Sequence, residues 1–226
     1  MSDFSPEINP QPVQEVPSEV LPEAPSAPVS LAQSWLHFLR EVLETLGLAV
    51  LLFLVINIIS ARVRVDGISM RPTLQDGEFV LINRLAYKLG TYQRGDIIVF
   101  RPPMYPPQGI FRQFLGLPNV SDNYEDYIKR VIGLPGDQVR IARGVVYING
   151  VQLQEPYIAA PPDYSGEWTV PDGKLFVLGD NRNNSSDSHA WGFLPVQNIL
   201  GKALLVYWPF KDWMVLKPDQ AVLAAP

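Results

Sequence analysis

Three segments of this chain carry residue types able to do chemistry: Gly67-Ile68-Ser69-Met70-Arg71-Pro72-Thr73-Leu74, Tyr127-Ile128-Lys129-Arg130-Val131-Ile132-Gly133-Leu134-Pro135-Gly136-Asp137, and Gly179-Asp180-Asn181-Arg182-Asn183-Asn184-Ser185-Ser186-Asp187-Ser188. A serine hydroxyl becomes a nucleophile only when a base takes its proton and donors hold the oxyanion that follows. Lysine serves as that base only when neutral. Lowering its pKa from ~10.4 to ~7–8 costs roughly 4 kcal/mol, and burial among apolar groups is the simplest means. Strand alternation places Tyr127, Lys129 and Val131 on one face and Ile128 and Arg130 on the other, so the amine of Lys129 lies between apolar stretches. Singly, a serine between Gly and Pro reads as a turn residue and a strand lysine as a solvated one. In this order, a few residues beyond a long apolar run, they point to a Ser-Lys hydrolase at a membrane surface.

Composition narrows the alternatives. With 226 residues, 47% of them hydrophobic, the chain can bury a substantial core and still spare a membrane span. A net charge of -5 without a basic stripe argues against nucleic acid as a partner. The absence of cysteine removes thiol nucleophiles, disulfides and Cys-based metal sites. With two histidines, His37 and His189, no His-rich metal site can form, and no cofactor or metal is expected.

The elements that must position these residues follow from patterning. Residues 1–30 are rich in Pro, Glu and Ser, the composition of a disordered tail. Residues 45–61 carry no charge, and 31–43 form an amphipathic lead-in, so 31–61 is expected to be a single retained transmembrane helix. Residues 62–226 form the remaining domain, in which β-branched runs at 62–66, 79–82, 96–100, 127–132, 138–141, 145–148, 175–178 and 203–208 alternate with Gly, Pro and Asp. The expected fold is mainly β, an antiparallel barrel-like sheet behind one N-terminal membrane helix. The Pro-rich, aromatic stretch 102–126 reads as a long loop that covers a groove or rests on lipid. Charge does not settle orientation: Arg62 and Arg64 after the span outweigh Arg40 among Glu23, Glu41 and Glu44, which places the β-domain in the cytosol, whereas the chemistry places it on the other side.

The three segments, with a weaker fourth at Gly95-Asp96-Ile97-Ile98-Val99-Phe100, resemble the ordered signature boxes of type I signal peptidases. The run Asn183-Asn184-Ser185-Ser186-Asp187-Ser188-His189-Ala190-Trp191-Gly192-Phe193-Leu194-Pro195 is most similar to the cyanobacterial and plastid branch. The resemblance implies a membrane-anchored Ser-Lys endopeptidase that removes signal peptides from exported preproteins after small-x-small sites. It implies Ser69 as nucleophile, Lys129 as general base, Ser185 as the group orienting the lysine amine, and Asp187 as the partner of Arg130. The Ser69 N–H would hold the oxyanion, and Gly67 stands where some members place a second donor, a serine. His189 replaces an arginine found in some members. The implied partners are signal peptides, membrane lipid and the translocation machinery, at a plasma or thylakoid membrane with the catalytic domain on the extracytoplasmic or lumenal side.

The same resemblance assigns Val63, Val65, Leu74, Tyr127 and Ile128 to the pockets for small side chains; by residue type alone they suit a core equally well. Ser69, His189 and Asp187 also compose a Ser-His-Asp triad on paper, an arrangement that leaves the Lys129 segment without a role. The alternative of a different class is an inactive, membrane-anchored β-domain that binds preproteins without cutting them.

Overall fold

The computed structural model describes residues 31–89, 91–105 and 125–217. The tail expected over 1–30 and most of the loop expected over 102–126 lie outside the described residues. The helix α1 (Leu31–Ile59) is continuous, and its stretch from Trp35 to Ile59 is 25 residues long. At about 1.5 Å per residue that stretch is long enough to cross a hydrocarbon layer. Its apolar side chains are exposed on every face, from Leu36 and Phe38 through Leu48, Phe53 and Ile56. Lipid, not protein, is the medium that suits such a surface.

The chain passes directly from α1 into β1 (Ser60–Arg64), which pairs antiparallel with β2 (Phe79–Asn83). The pairing brackets the loop that carries Ser69. The remaining large-sheet strands in chain order are β3 (Ile97–Phe100), β4 (Tyr127–Gly133), β9 (Lys174–Leu178), β10 (Leu194–Pro195) and β11 (Ile199–Trp208). Spatially the order is β1-β2-β11-β3-β4-β9-β10, all antiparallel, with β12 (Met214–Val215) added to β11. Register shifts in β11 and after Val131 in β4 are bulges, the device that bends an antiparallel sheet and lets it curl. A second sheet has the order β7-β6-β5-β8, built from β5 (Gln138–Ala142), β6 (Val145–Ile148), β7 (Val151–Gln152) and β8 (Gly166–Thr169). The mainly β, antiparallel architecture behind one apolar helix is the one the patterning predicts.

Three apolar clusters fix this arrangement. Val65, Met70, Leu74, Val80, Ile97 and Ile128 meet in the first, Val139, Ile148 and Phe176 in the second, and Phe100, Val131 and Leu175 in the third. Strand β4 touches all three, through Ile128, Ile132 and Val131, and is buried on both faces from Ile128 onward. A lysine in the middle of such a strand has lost its water. Strand β11 starts four residues before the predicted 203, because Gly201 interrupts the sequence pattern. A Cβ there would lie 2.7 Å from the carbonyl oxygen of Asn83, so the glycine marks a close approach of two backbones rather than a strand end. Met70 is core, Trp191 is partly buried against the third cluster, and Trp208 and Trp213 are exposed.

Candidate active site

Ser69 sits on a tight turn between β1 and β2. Gly67 opens the turn with φ +95, a backbone region that favours glycine, and its N–H donates to Asp76 Oδ1 at 2.8 Å. Val65, Met70 and Leu74 anchor the turn in the first cluster. The loop is thereby pulled inward at both ends, leaving Ser69 at the wall of a cleft of about 480 Å³.

Lys129 reaches the same cleft from the middle of β4. Its Nζ lies 2.8 Å from Ser69 Oγ and 3.0 Å from the Ile128 carbonyl oxygen, and the residue is 4% exposed. Burial lowers its pKa from the ordinary 10.5 to about 8, against the opposing pull of the Asp187 and Asp180 carboxylates. A neutral amine at this distance accepts the serine proton while still donating to the Ile128 carbonyl. That is the geometry a general base requires.

A short platform, Gly179 to Asn181, holds the two together. The Asn181 N–H donates to the Ser69 carbonyl at 3.0 Å and its side-chain amide to the Ile68 carbonyl at 3.1 Å. The next residue back, Asp180, accepts two hydrogen bonds from Arg130, at 2.8 and 2.7 Å, and one from the Thr73 hydroxyl at 2.5 Å. Gly179 donates to Asp187 Oδ2 at 2.9 Å and accepts from Arg182 Nε at 3.0 Å. Arg182 is held in turn by Glu155 at 2.9 and 2.5 Å. Asp180, Thr73, Gly179 and Glu155 are residues that sequence reasoning left without a role. Asp180 stood within a segment already singled out, two positions beyond the end of β9.

Several expectations need correction. Arg130 takes Asp180 as its carboxylate, whereas Asp187 is paired with His189, Nδ1 to Oδ1 at 2.6 Å, and caps the short helix α2 (Ser188–Trp191). The difference follows from strand register: Arg130 stands opposite Leu178, and Asp180 lies two residues further on the same side. Ser185 does not hydrogen-bond to Lys129. Its Oγ is buried without a hydrogen-bond partner among the described residues, and the second acceptor near the lysine amine is the Ile128 carbonyl. Leu74 is fully buried in the first cluster and does not line the cleft, whereas Val63, Val65, Gly67, Tyr127 and Ile128 do. His189, stacked on Tyr164 with ring centres 3.9 Å apart, also lies outside the cleft, so the Ser-His-Asp arrangement is not assembled.

The signal peptidase family, peptidase S26, matches residues 39–208. A probable signal peptidase I-1 of Synechocystis sp. is 43% identical over 180 residues, covering 78% of this chain and 86% of that protein. A signal peptidase I of Leptolyngbya laminosa is 45% identical over 173 residues, covering 76% and 80%. Among solved structures, a signal peptidase I from Enterococcus faecalis V583 aligns with a TM-score of 0.39 and 32% identity, over 50% of this chain and 96% of that one.

Proposed function

The chain belongs to the signal peptidase family, peptidase S26, and on that premise we propose that it is a membrane-anchored serine endopeptidase that removes signal peptides from exported preproteins, with Ser69 and Lys129 as its catalytic dyad. The observation that carries the assignment is the 2.8 Å separation of Ser69 Oγ from a buried amine whose pKa is lowered to about 8. Neutral Lys129 takes the hydroxyl proton as Oγ attacks the scissile carbonyl carbon. The C–N bond then breaks, the lysine ammonium gives its proton to the departing amine, and the signal peptide is left as an ester on Ser69. Water attacks that ester with Lys129 again taking the proton, which releases the signal peptide and restores the hydroxyl. The backbone N–H of Ser69 is the proposed oxyanion donor, and Gly67 brings no side-chain donor beside it.

The substrate binds extended. β1 ends the order of the large sheet, so its outer edge offers backbone donors and acceptors to an added strand. The cleft floor between that edge and the start of β4 is lined by Val63, Val65, Tyr127 and Ile128, apolar groups that suit small side chains before the cut. Preproteins emerge where they are exported, so the catalytic domain faces the extracytoplasmic or lumenal side of a plasma or thylakoid membrane, within reach of the translocation machinery.

The test is cleavage of a preprotein by the full chain in detergent–lipid micelles, with Ser69→Ala and Lys129→Met in parallel. Release of the mature product after a small-x-small site, lost in both variants, supports the dyad. Cleavage that survives Lys129→Met moves the base elsewhere. No cleavage by the intact folded chain favours a binding domain instead.

A further inference from the structure

A second cavity, of about 150 Å³, shares no lining residue with the peptidase cleft. Arg84 forms one wall, and its backbone N–H donates to the carbonyl of Ile59, the last residue of α1, at 2.8 Å. The cavity therefore opens where the apolar helix ends, the level at which lipid headgroups meet water. Tyr87 and Tyr92, stacked with ring centres 4.4 Å apart, form a second wall, and the exposed Gln197 stands on the β11 side.

The charge here is unbalanced. The Arg84 guanidinium is partly buried and makes no ion pair or side-chain hydrogen bond with the described residues; burial lowers its pKa, with no carboxylate acting to restore it. Among the described residues no acid lines the cavity. A carboxylate in contact with its wall, Asp96, accepts from the Tyr87 hydroxyl at 3.0 Å and is paired with Lys202 at 2.5 Å. A guanidinium stripped of part of its water and given no counter-charge is stabilised by an anion that brings its own oxygens, and its planar fork suits phosphate.

We infer that this cavity holds the phosphate of an anionic membrane lipid, with Arg84 as the ion-pairing group and Gln197 as a further donor. A phosphate diester fits the volume, and the helix end keeps the cavity at a surface dense in such groups, so even a weak intrinsic affinity fills it. A lipid held there fixes the depth at which the β-domain stands at the membrane. The inference rests on the membrane anchor and not on the identity of the dyad.

The full chain in neutral detergent is titrated with short-chain phosphatidylglycerol, and binding is followed by thermal midpoint and by native mass spectrometry. A saturable rise in midpoint with one retained lipid is expected. Its apparent affinity falls roughly tenfold or more in Arg84→Gln, the loss of a charge-assisted contact, and similarly in Gln197→Trp, which fills the cavity mouth while leaving the charge. Lys211→Gln, at an exposed lysine elsewhere, should bind as the parent does. Hydrolysis of a short soluble peptide, unchanged in all three variants, shows that they are folded. Equal losses in Lys211→Gln, or undiminished binding in both cavity variants, would overturn the site in favour of diffuse attraction. An equal rise with inorganic phosphate alone would overturn the lipid as its occupant.

Discussion

Asp180 grips Arg130 with two hydrogen bonds, 2.8 and 2.7 Å long, and neither side chain has any exposure. The same carboxylate takes the Thr73 hydroxyl, so a single side chain ties the central strand to the turn that carries Ser69. A buried ion pair returns little when compared with a well-packed apolar pair, but removing one partner leaves an uncompensated charge. Asp180→Asn is therefore expected to lower stability by about 3–5 kcal/mol. It also removes one of the two carboxylates that favour the lysine ammonium, and it takes the Asp180 charge away from the Arg130 cation nearby. Both changes push the Lys129 pKa further down, so the pH midpoint of kcat/KM should move to lower pH even as the maximal rate falls. Denaturant unfolding and a pH–rate profile on the same preparation check the two effects; a midpoint that moved up would contradict the electrostatic account.

The register that selects Asp180 was only partly legible in the sequence. Two aspartates, Asp180 and Asp187, flank Ser185 in one loop, and residue type cannot say which turns inward. The pairing of Arg130 with Leu178 across β4 and β9 decides it, and that is a long-range fact. The strands themselves were readable because β-branched runs between turn residues are a local signal. The short strands β7, β8, β10 and β12 were not, being held by their neighbours rather than by their own pattern. Leu74 illustrates the same limit: four residues after a buried methionine its side chain suits a pocket or a core, and the turn bond from its N–H to the Met70 carbonyl at 2.9 Å rotates it into the core. Ser69 and Lys129 were readable as candidates, but their meeting depends on the clamp of Asn181 on the turn that carries Ser69.

Lys129 titrates with the opposite sign to a surface lysine in an ion pair. Its folded-state pKa, about 8, lies below the ordinary 10.5, so between those values the unfolded chain binds more protons and stability rises with pH. Below pH ~8 the folded protein bears the full cost of a buried ammonium, about 3 kcal/mol at roughly 1.4 kcal/mol per factor of ten in proton affinity. Two outcomes follow. kcat/KM should rise through a midpoint near the Lys129 pKa as the amine becomes neutral, then plateau. Lys129→Met should be inactive yet more stable than the parent at neutral pH, by about 2–3 kcal/mol, with the gain fading as pH approaches the ordinary lysine value. Thermal midpoints of both proteins across the pH range test this, and a gain independent of pH would remove the titrating lysine from the explanation.

Gly179 and Ser185 should respond in opposite ways to the same substituent. A Cβ on Gly179 would lie 2.2 Å from Ser185 Oγ and 2.5 Å from the Ser69 carbonyl oxygen, distances no real structure tolerates. Because one of the two obstacles is backbone of Ser69 itself, relief displaces that residue. Gly179→Ala is expected to lower kcat by two orders of magnitude or so, the scale on which small misplacements act, with a modest loss of stability. Ser185→Ala instead deletes a buried hydroxyl that has no hydrogen-bond partner among the described residues. It should leave stability unchanged or raise it by about 1 kcal/mol. Should Ser185→Ala prove strongly destabilising, the hydroxyl must be bonded in solution to a group it does not meet here.

His189 separates the two possible bases most directly. Its Nδ1 is engaged with Asp187 Oδ1 at 2.6 Å and its ring rests on Tyr164, while the hydroxyl of Ser69 is served by Lys129. Asp187 does not depend on the imidazole alone, since it also accepts the N–H groups of Gly179 and of His189 itself, a backbone donor that any residue at this position supplies. His189→Gln keeps that backbone donor and offers an amide to the same oxygen. Activity within about tenfold of the parent is therefore expected, with the alkaline rise set by Lys129 left in place. A general base removed from a serine hydrolase costs several orders of magnitude more than that. Steady-state kinetics of His189→Gln beside Lys129→Met thus give a clear ranking: near-complete loss in the histidine variant, with its fold intact, would transfer the role of base from Lys129 to His189.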